Sequence, residues 1–116
     1  MNEDVVDLKE ALERVQEDKE LLLELFDIFL DDCPKKMEAI RQAAAKNDIN
    51  QLKDTAHSLK GASGNISAKK LYHSFLAIEQ MAKTGELKDI HNLLAVIDQQ
   101  LIALREYSQN LKKDFK

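Results

Sequence analysis

One cysteine, one proline and three glycines occur among 116 residues. Cys33 has no partner in the chain, so no intrachain disulfide can form, and a lone thiol fits a reducing compartment. So little glycine and proline leaves too few turn formers for a meander of strands, which excludes an all-β sandwich or barrel. Charge of one sign is also missing: 17 Lys and Arg against 21 Asp and Glu give a net charge of −4, with the signs mixed along the length. Nucleic acid and acidic membrane surfaces both call for clustered Lys or Arg, so neither is an expected partner. The most apolar stretch, residues 21–30, is interrupted by Glu24 and Asp27. It falls far short of the roughly 20 apolar residues that span a bilayer, so no membrane insertion is expected. The first residues are acidic where a secretory signal would be basic and then apolar, and the expected location is cytoplasmic. No Gly-rich phosphate loop or Walker lysine is present, which excludes ATP binding by those devices, and no His or Cys recurs at metal-ligand spacing.

What the chain does contain is helix-forming periodicity. With 44% hydrophobic and 33% charged residues, its length suits one core, and residues 1–116 are read as a single helical domain. Leu8, Leu12 and Val15 mark a short amphipathic helix over 7–15. Leu22, Phe26, Phe29, Cys33, Met37, Ile40 and Ala44 then recur at steps of four and three, defining a long helix over 19–46. Pro34 lies inside that stripe and is expected to bend the helix without breaking it. Leu21, Leu25 and Ile28 widen its apolar surface, and the short first helix is expected to cover them. A third helix over 50–64 follows from Leu52, Leu59 and Ile66, and a fourth from Leu71, Phe75, Ile78 and Ala82, with Ser67 expected to cap it. Thr84 and Gly85 end the fourth helix, and a fifth runs over 89–112 on Ile90, Leu93, Ile97, Leu101, Leu104 and Leu111. Short connectors make successive long helices antiparallel. The expected fold is all-α, an up-down-up-down four-helix bundle with a short additional N-terminal helix.

The third helix carries the chemistry. At about 100° per residue, with His57 at zero, the core positions Leu52, Leu59 and Ile66 lie roughly opposite, near 200°. His57 therefore faces solvent. Lys60, Gly61 and Gly64 fall at roughly 300°, 40° and 340°, and Lys53 at roughly 320°, so all share its face. Each glycine inside a helix costs about 1 kcal/mol relative to Ala, and a bare strip beside an imidazole is what close approach by another molecule requires. Lying opposite the leucine stripe, the two glycines are expected to have no neighbouring helix of this chain against them. A neutral imidazole is a good nucleophile toward activated phosphorus, and Lys60 can neutralise phosphoryl oxygens. Lys53 is read first as a solvated charge that could add to the field. A convex helix face with no paired carboxylates and no oxyanion site is a poor setting for hydrolysis. His73 and His91 are read as surface or boundary residues.

The run from Ala56 to Leu71 resembles the signature of histidine-containing phosphotransfer (HPt) domains. The likeness is carried by Ala56-His57, by Leu59-Lys60-Gly61, and by Ile66, Ala68 and Leu71. Ile78-Glu79 is similar to the Leu-Glu pair of the family's next helix, and Phe29-Leu30, Pro34 and the turn over 44–48 extend the likeness over nearly the whole chain. One position departs: the family commonly has Gly where this chain has Ser67. The resemblance implies that His57 accepts a phosphoryl group from a receiver-domain aspartyl phosphate and passes it to another receiver aspartate. It implies that Lys60 supports that group and that Gly61 gives clearance for docking. The chain would then be a carrier and not an enzyme, with no cofactor of its own and Mg²⁺ on the partner. Its expected partners are response-regulator receiver domains, with a hybrid sensor histidine kinase as a further candidate, and it is expected to be a monomer. The rival reading is a helical adaptor, never phosphorylated, that binds a partner through the His57, Gly61 and Gly64 face.

Overall fold

A computed structural model describes residues 5–115, which form five helices: α1 (Leu8–Arg14), α2 (Lys19–Lys46), α3 (Ile49–Asn65), α4 (Lys69–Thr84) and α5 (Ile90–Asp114). Three helices begin at an aspartate whose side chain accepts a backbone N–H three residues on. Asp7 holds Glu10, Asp18 holds Leu21 and Asp48 holds Gln51, at 3.1, 3.1 and 3.2 Å. Such caps satisfy amides that the first turn leaves without partners. Asn47 and Gly85 stop α2 and α4 in left-handed conformation, with φ of 56° and 76°.

Side-chain ties fix the direction of the long helices. Asp27, early in α2, meets Lys112 late in α5 at 2.8 Å, and Arg41, late in α2, meets Asp98 nearer the start of α5. The two helices are therefore antiparallel. Ser74 on α4 donates to Gln100 on α5 at 2.8 Å. The interior is the set of apolar stripes read from the sequence, with Leu22, Phe26, Ile40, Leu52, Leu59, Phe75, Ile78, Ile97 and Leu104 all sealed from solvent. Phe26 lies edge-on to Tyr107 with ring centroids 6.2 Å apart. The α2 helix runs unbroken through Pro34, which is exposed, while Leu30, Cys33 and Met37 around it remain buried.

Three expectations are corrected. The first concerns Ser67, which does not cap α4: the cap position is Ala68, which makes no side-chain cap bond. Ser67 sits one residue earlier with φ of 56°, 1% exposed, and its hydroxyl donates to Glu10 Oε1 at 2.8 Å. Its left-handed backbone, which glycine adopts at no steric cost, gives a physical reason for glycine at this position in the resembling family. The second concerns α1, which turns toward this corner, with the Asp7 amide donating to the Ser67 carbonyl at 3.0 Å and Lys69 within 3.0 Å of Glu10. It does not cover the widened face of α2: Leu21 and Ile28 stay exposed, and only Leu25 is half-buried. The third concerns α5, which buries Leu94 and Tyr107 more fully than Leu93 and Leu101, a small rotation of its stripe.

Candidate functional site

The core face of α3 is Leu52, Ala56, Leu59 and Ser63, all buried. Fixing that face inward turns His57, the midpoint of the helix, outward, and its side chain is 67% exposed. Across from it α4 places Glu79, whose side chain is only 8% exposed. One carboxylate oxygen, Oε2, lies 2.8 Å from His57 Nδ1, and the other, Oε1, accepts from Lys60 Nζ at 2.8 Å. A buried carboxylate needs this kind of compensation, because its ionised form is strongly disfavoured without hydrogen bonds or an opposite charge.

The electrostatics follow from that triangle. The Lys60 ammonium, above all through its hydrogen bond, holds the Glu79 carboxyl below the ordinary range; burial opposes this, and the contact to His57 assists it. Reciprocally, the hydrogen bond to Glu79 raises the Lys60 ammonium above its usual range, with burial opposing. Glu79 is thus an anion and can only accept. The proton between it and the imidazole accordingly resides on Nδ1, leaving the ring's lone pair on Nε2. In a neutral ring the tautomer is thus chosen by α4, with Nε2 as the unprotonated nitrogen.

The glycines part company. A Cβ at Gly61 would meet nothing within 4 Å, so the surface beside His57 is open there. A Cβ at Gly64 would stand 3.4 Å from Cδ2 of Tyr72 on α4, and Gly64 is half-buried. The expectation that no helix of this chain borders the glycine strip is therefore wrong for Gly64. Residues opposite the leucine stripe can still face a neighbour, because α4 packs along the flank of α3 and reaches round it with Tyr72 and Glu79. Lys60 is likewise no free cation but is already engaged by Glu79. Lys53 is half-buried, and no hydrogen bond or ion pair to it is found among the described residues. On the other flank, Lys36 of α2 donates to Ser58 Oγ at 3.0 Å. His73 and His91 are exposed, and His73 lies edge-on to Tyr72. Among the described residues no group of three or more His, Cys, Asp or Glu could hold a metal ion, and no helix is long and apolar enough to cross a membrane.

Glu79 enters the sequence reading only through the family likeness, with no role at the site. A signal was available, because it stands four residues after Phe75 and three before Ala82, an acid on the apolar face of α4. A charge at such a position must have a partner, and His57 and Lys60 are the groups that supply it.

Comparison with known proteins agrees with this geometry. A family model described as "Hpt domain" matches residues 24–107. The phosphorelay protein LuxU of Vibrio vulnificus is 29% identical over 75 residues, which is 64% of this chain. The match spans 65% of that relative's length, a little under two thirds. Among solved structures, histidine-containing phosphotransfer protein B (HptB) of Pseudomonas aeruginosa superposes with a TM-score of 0.79 at 26% identity, covering 90% of this chain and 92% of that one. The HPT domain of a sensor hybrid histidine kinase from Shewanella has the same fold, with a TM-score of 0.72 at 22% identity over 95% and 92% of the two chains. With the match covering most of the length, and the outward histidine, lysine and bare glycine on one helix, the chain belongs to the Hpt domain family.

Proposed function

We propose that this chain is a phosphorelay intermediate that carries a phosphoryl group on Nε2 of His57. The observation that carries the reading is the Glu79 contact to Nδ1, which leaves Nε2 bare on an imidazole two-thirds exposed beside the open surface at Gly61. In the forward step the Nε2 lone pair attacks the phosphorus of an aspartyl phosphate on a receiver domain. The new P–N bond forms as the P–O bond to the aspartate breaks, and that bond's electron pair leaves with the aspartate carboxylate. The ring, still protonated at Nδ1, gains positive character that the Glu79 carboxylate offsets. Lys60, one turn from His57, can turn from Glu79 to the phosphoryl oxygens. Reversal onto another receiver aspartate returns the ring to its starting state.

In this reading the chain is a carrier whose phosphoryl donor and acceptor are other proteins, and it works as a monomer in the cytoplasm without a cofactor of its own. The receiver brings Mg²⁺ together with its aspartate. Support for receiver and kinase partners comes from the relatives, one described as a phosphorelay protein and one as a domain of a hybrid histidine kinase. Incubation with a phosphorylated receiver domain and Mg²⁺ should label this chain on His57 alone, with an acid-labile, base-stable bond. His57→Gln should abolish labelling while leaving the domain folded, at a cost of up to about 3 kcal/mol where the amide does not replace the bond to the buried Glu79 carboxylate. Undiminished labelling of that variant would sink the assignment, and receiver binding without any labelling of the parent would favour an adaptor.

A further inference from the structure

Besides Lys53, two lysines flank His57, and only Lys60 belongs to the Glu79 bridge. The other is Lys36, on α2, whose ammonium donates to Ser58 Oγ at 3.0 Å and lies 2.8 Å from Asp32 in its own helix. Ser58 directly follows His57, which sets it about 100° around α3 toward α2, whereas Lys60 stands about 60° the other way, toward α4. The imidazole is thus bracketed by cations from two different helices.

The two are not equally available. The Lys60 side chain is 17% exposed and is held by a buried carboxylate, while that of Lys36 is 35% exposed and is held by a neutral hydroxyl and a half-exposed aspartate. A hydroxyl is a weaker acceptor than a carboxylate, and an exposed i,i+4 ion pair holds its members only loosely. Lys36 can therefore exchange Ser58 for an incoming anion. Lys60 shares the face of His57 and is placed for the phosphoryl oxygens. Lys36, anchored one residue to the side, reaches past Ser58 toward whatever covers the histidine.

We propose that Lys36, parked on Ser58, is a docking residue that meets a carboxylate at the rim of the receiver's phosphoaspartate site, on the α2 flank of His57. This rests on the carrier reading above and names the charge the partner presents there. The chemistry supplies the match, since a Mg²⁺ site that serves a phosphoryl group is built with carboxylates, and the phosphoryl group adds about two negative charges beyond those that the one divalent ion offsets, so the surface around a phosphoaspartate is net negative. A cation at the edge of such an interface acts on encounter and affinity, and its effect fades as salt screens it.

The test is transfer kinetics from a purified receiver domain, phosphorylated with acetyl phosphate and freed of donor, at low and high salt. Lys36→Glu should raise KM for the phosphorylated receiver about tenfold at low salt, leave kcat within about twofold, and lose most of the difference at high salt. Lys36→Arg should restore the parent KM. An unchanged KM for Lys36→Glu, or a loss confined to kcat, overturns the docking role. Should repulsion from Asp32 unfold Lys36→Glu, Lys36→Met is judged by the same KM criterion. Labelling of the parent by phosphoramidate tests the carrier reading separately. No phosphohistidine there removes both proposals, whereas phosphohistidine together with an unchanged KM removes only the role of Lys36.

Discussion

Glu79 and His57 lie 22 residues apart in sequence, yet a carboxylate oxygen of the one stands 2.8 Å from Nδ1 of the other. The second oxygen of the same carboxylate holds Lys60. The acid therefore does two jobs at once: it selects the tautomer of His57 and keeps the Lys60 ammonium beside it.

This pairing sets a pH dependence. The folded-state pKa of Glu79 is depressed below its ordinary value of 4.5, so its contribution to stability is fully present above that value and is lost as pH falls through the lower, folded one. Melting temperatures taken from about pH 7 to about pH 3 should show the parent losing stability in acid more steeply than Glu79→Gln, with the two curves converging at the acid end. At neutral pH the variant should be the less stable and the slower in transfer, because Lys60 and Nδ1 then face an amide. Parallel curves would show that the carboxyl has the same pKa in the fold as in the unfolded chain.

The two helix glycines should behave differently. Gly61→Ala fills open space and should gain about 1 kcal/mol from helix propensity. Gly61→Leu should also fold well, yet block transfer from a receiver while leaving labelling by a small donor intact. Gly64→Leu must push against Tyr72, so thermal melts should place it below Gly61→Ala by about 1–3 kcal/mol, the usual cost of overpacking. Equal stability of the two would mean that Tyr72 gives way freely.

Ser67 offers a comparison that isolates backbone strain. Ser67→Ala and Ser67→Gly both remove the hydroxyl that bonds Glu10, but only alanine keeps the penalty of a positive φ. Chemical denaturation should find the glycine variant more stable than the alanine variant by about 1 kcal/mol or more. The reverse order would rule out a left-handed turn at this residue.

Cys33 should be silent in the native protein. It is 2% exposed, and burial, the largest cause, pushes its thiol up to about 12. Since the thiolate is the reactive form, a thiol-specific reagent at pH 8 should label it only as fast as the domain unfolds, and at once in denaturant. Rapid labelling of folded protein would contradict its burial.

Much of this architecture is legible in the residues themselves. The stripe from Leu22 to Ile40, the aspartates before three of the helices and the Thr84-Gly85 stop all act within one helix, where a period of 3.6 and a cap suffice to place them. The outward aspect of His57 follows from the same rotation. What periodicity does not contain is the angle at which a neighbouring helix arrives. Tyr72 and Glu79 reach the glycine strip because α4 lies close along α3, and neither rotation nor spacing within α3 encodes that. Ile28 is the converse case: its place on an apolar stripe says nothing about whether α1 extends far enough to cover it, and α1 instead turns toward Ser67.

The position of His57 at the midpoint of α3 has a consequence for how steadily the site is held. Eight residues of helix lie on either side, roughly 12 Å each way, so the fraying that loosens a terminal turn stops well short of the imidazole. Backbone amides around residue 57 should therefore exchange with deuterium only through opening of the whole bundle, at the slowest rates in the molecule. Under the proposed function, a receiver meets an imidazole whose place is set before contact, and little ordering entropy is left to be lost when the two proteins join.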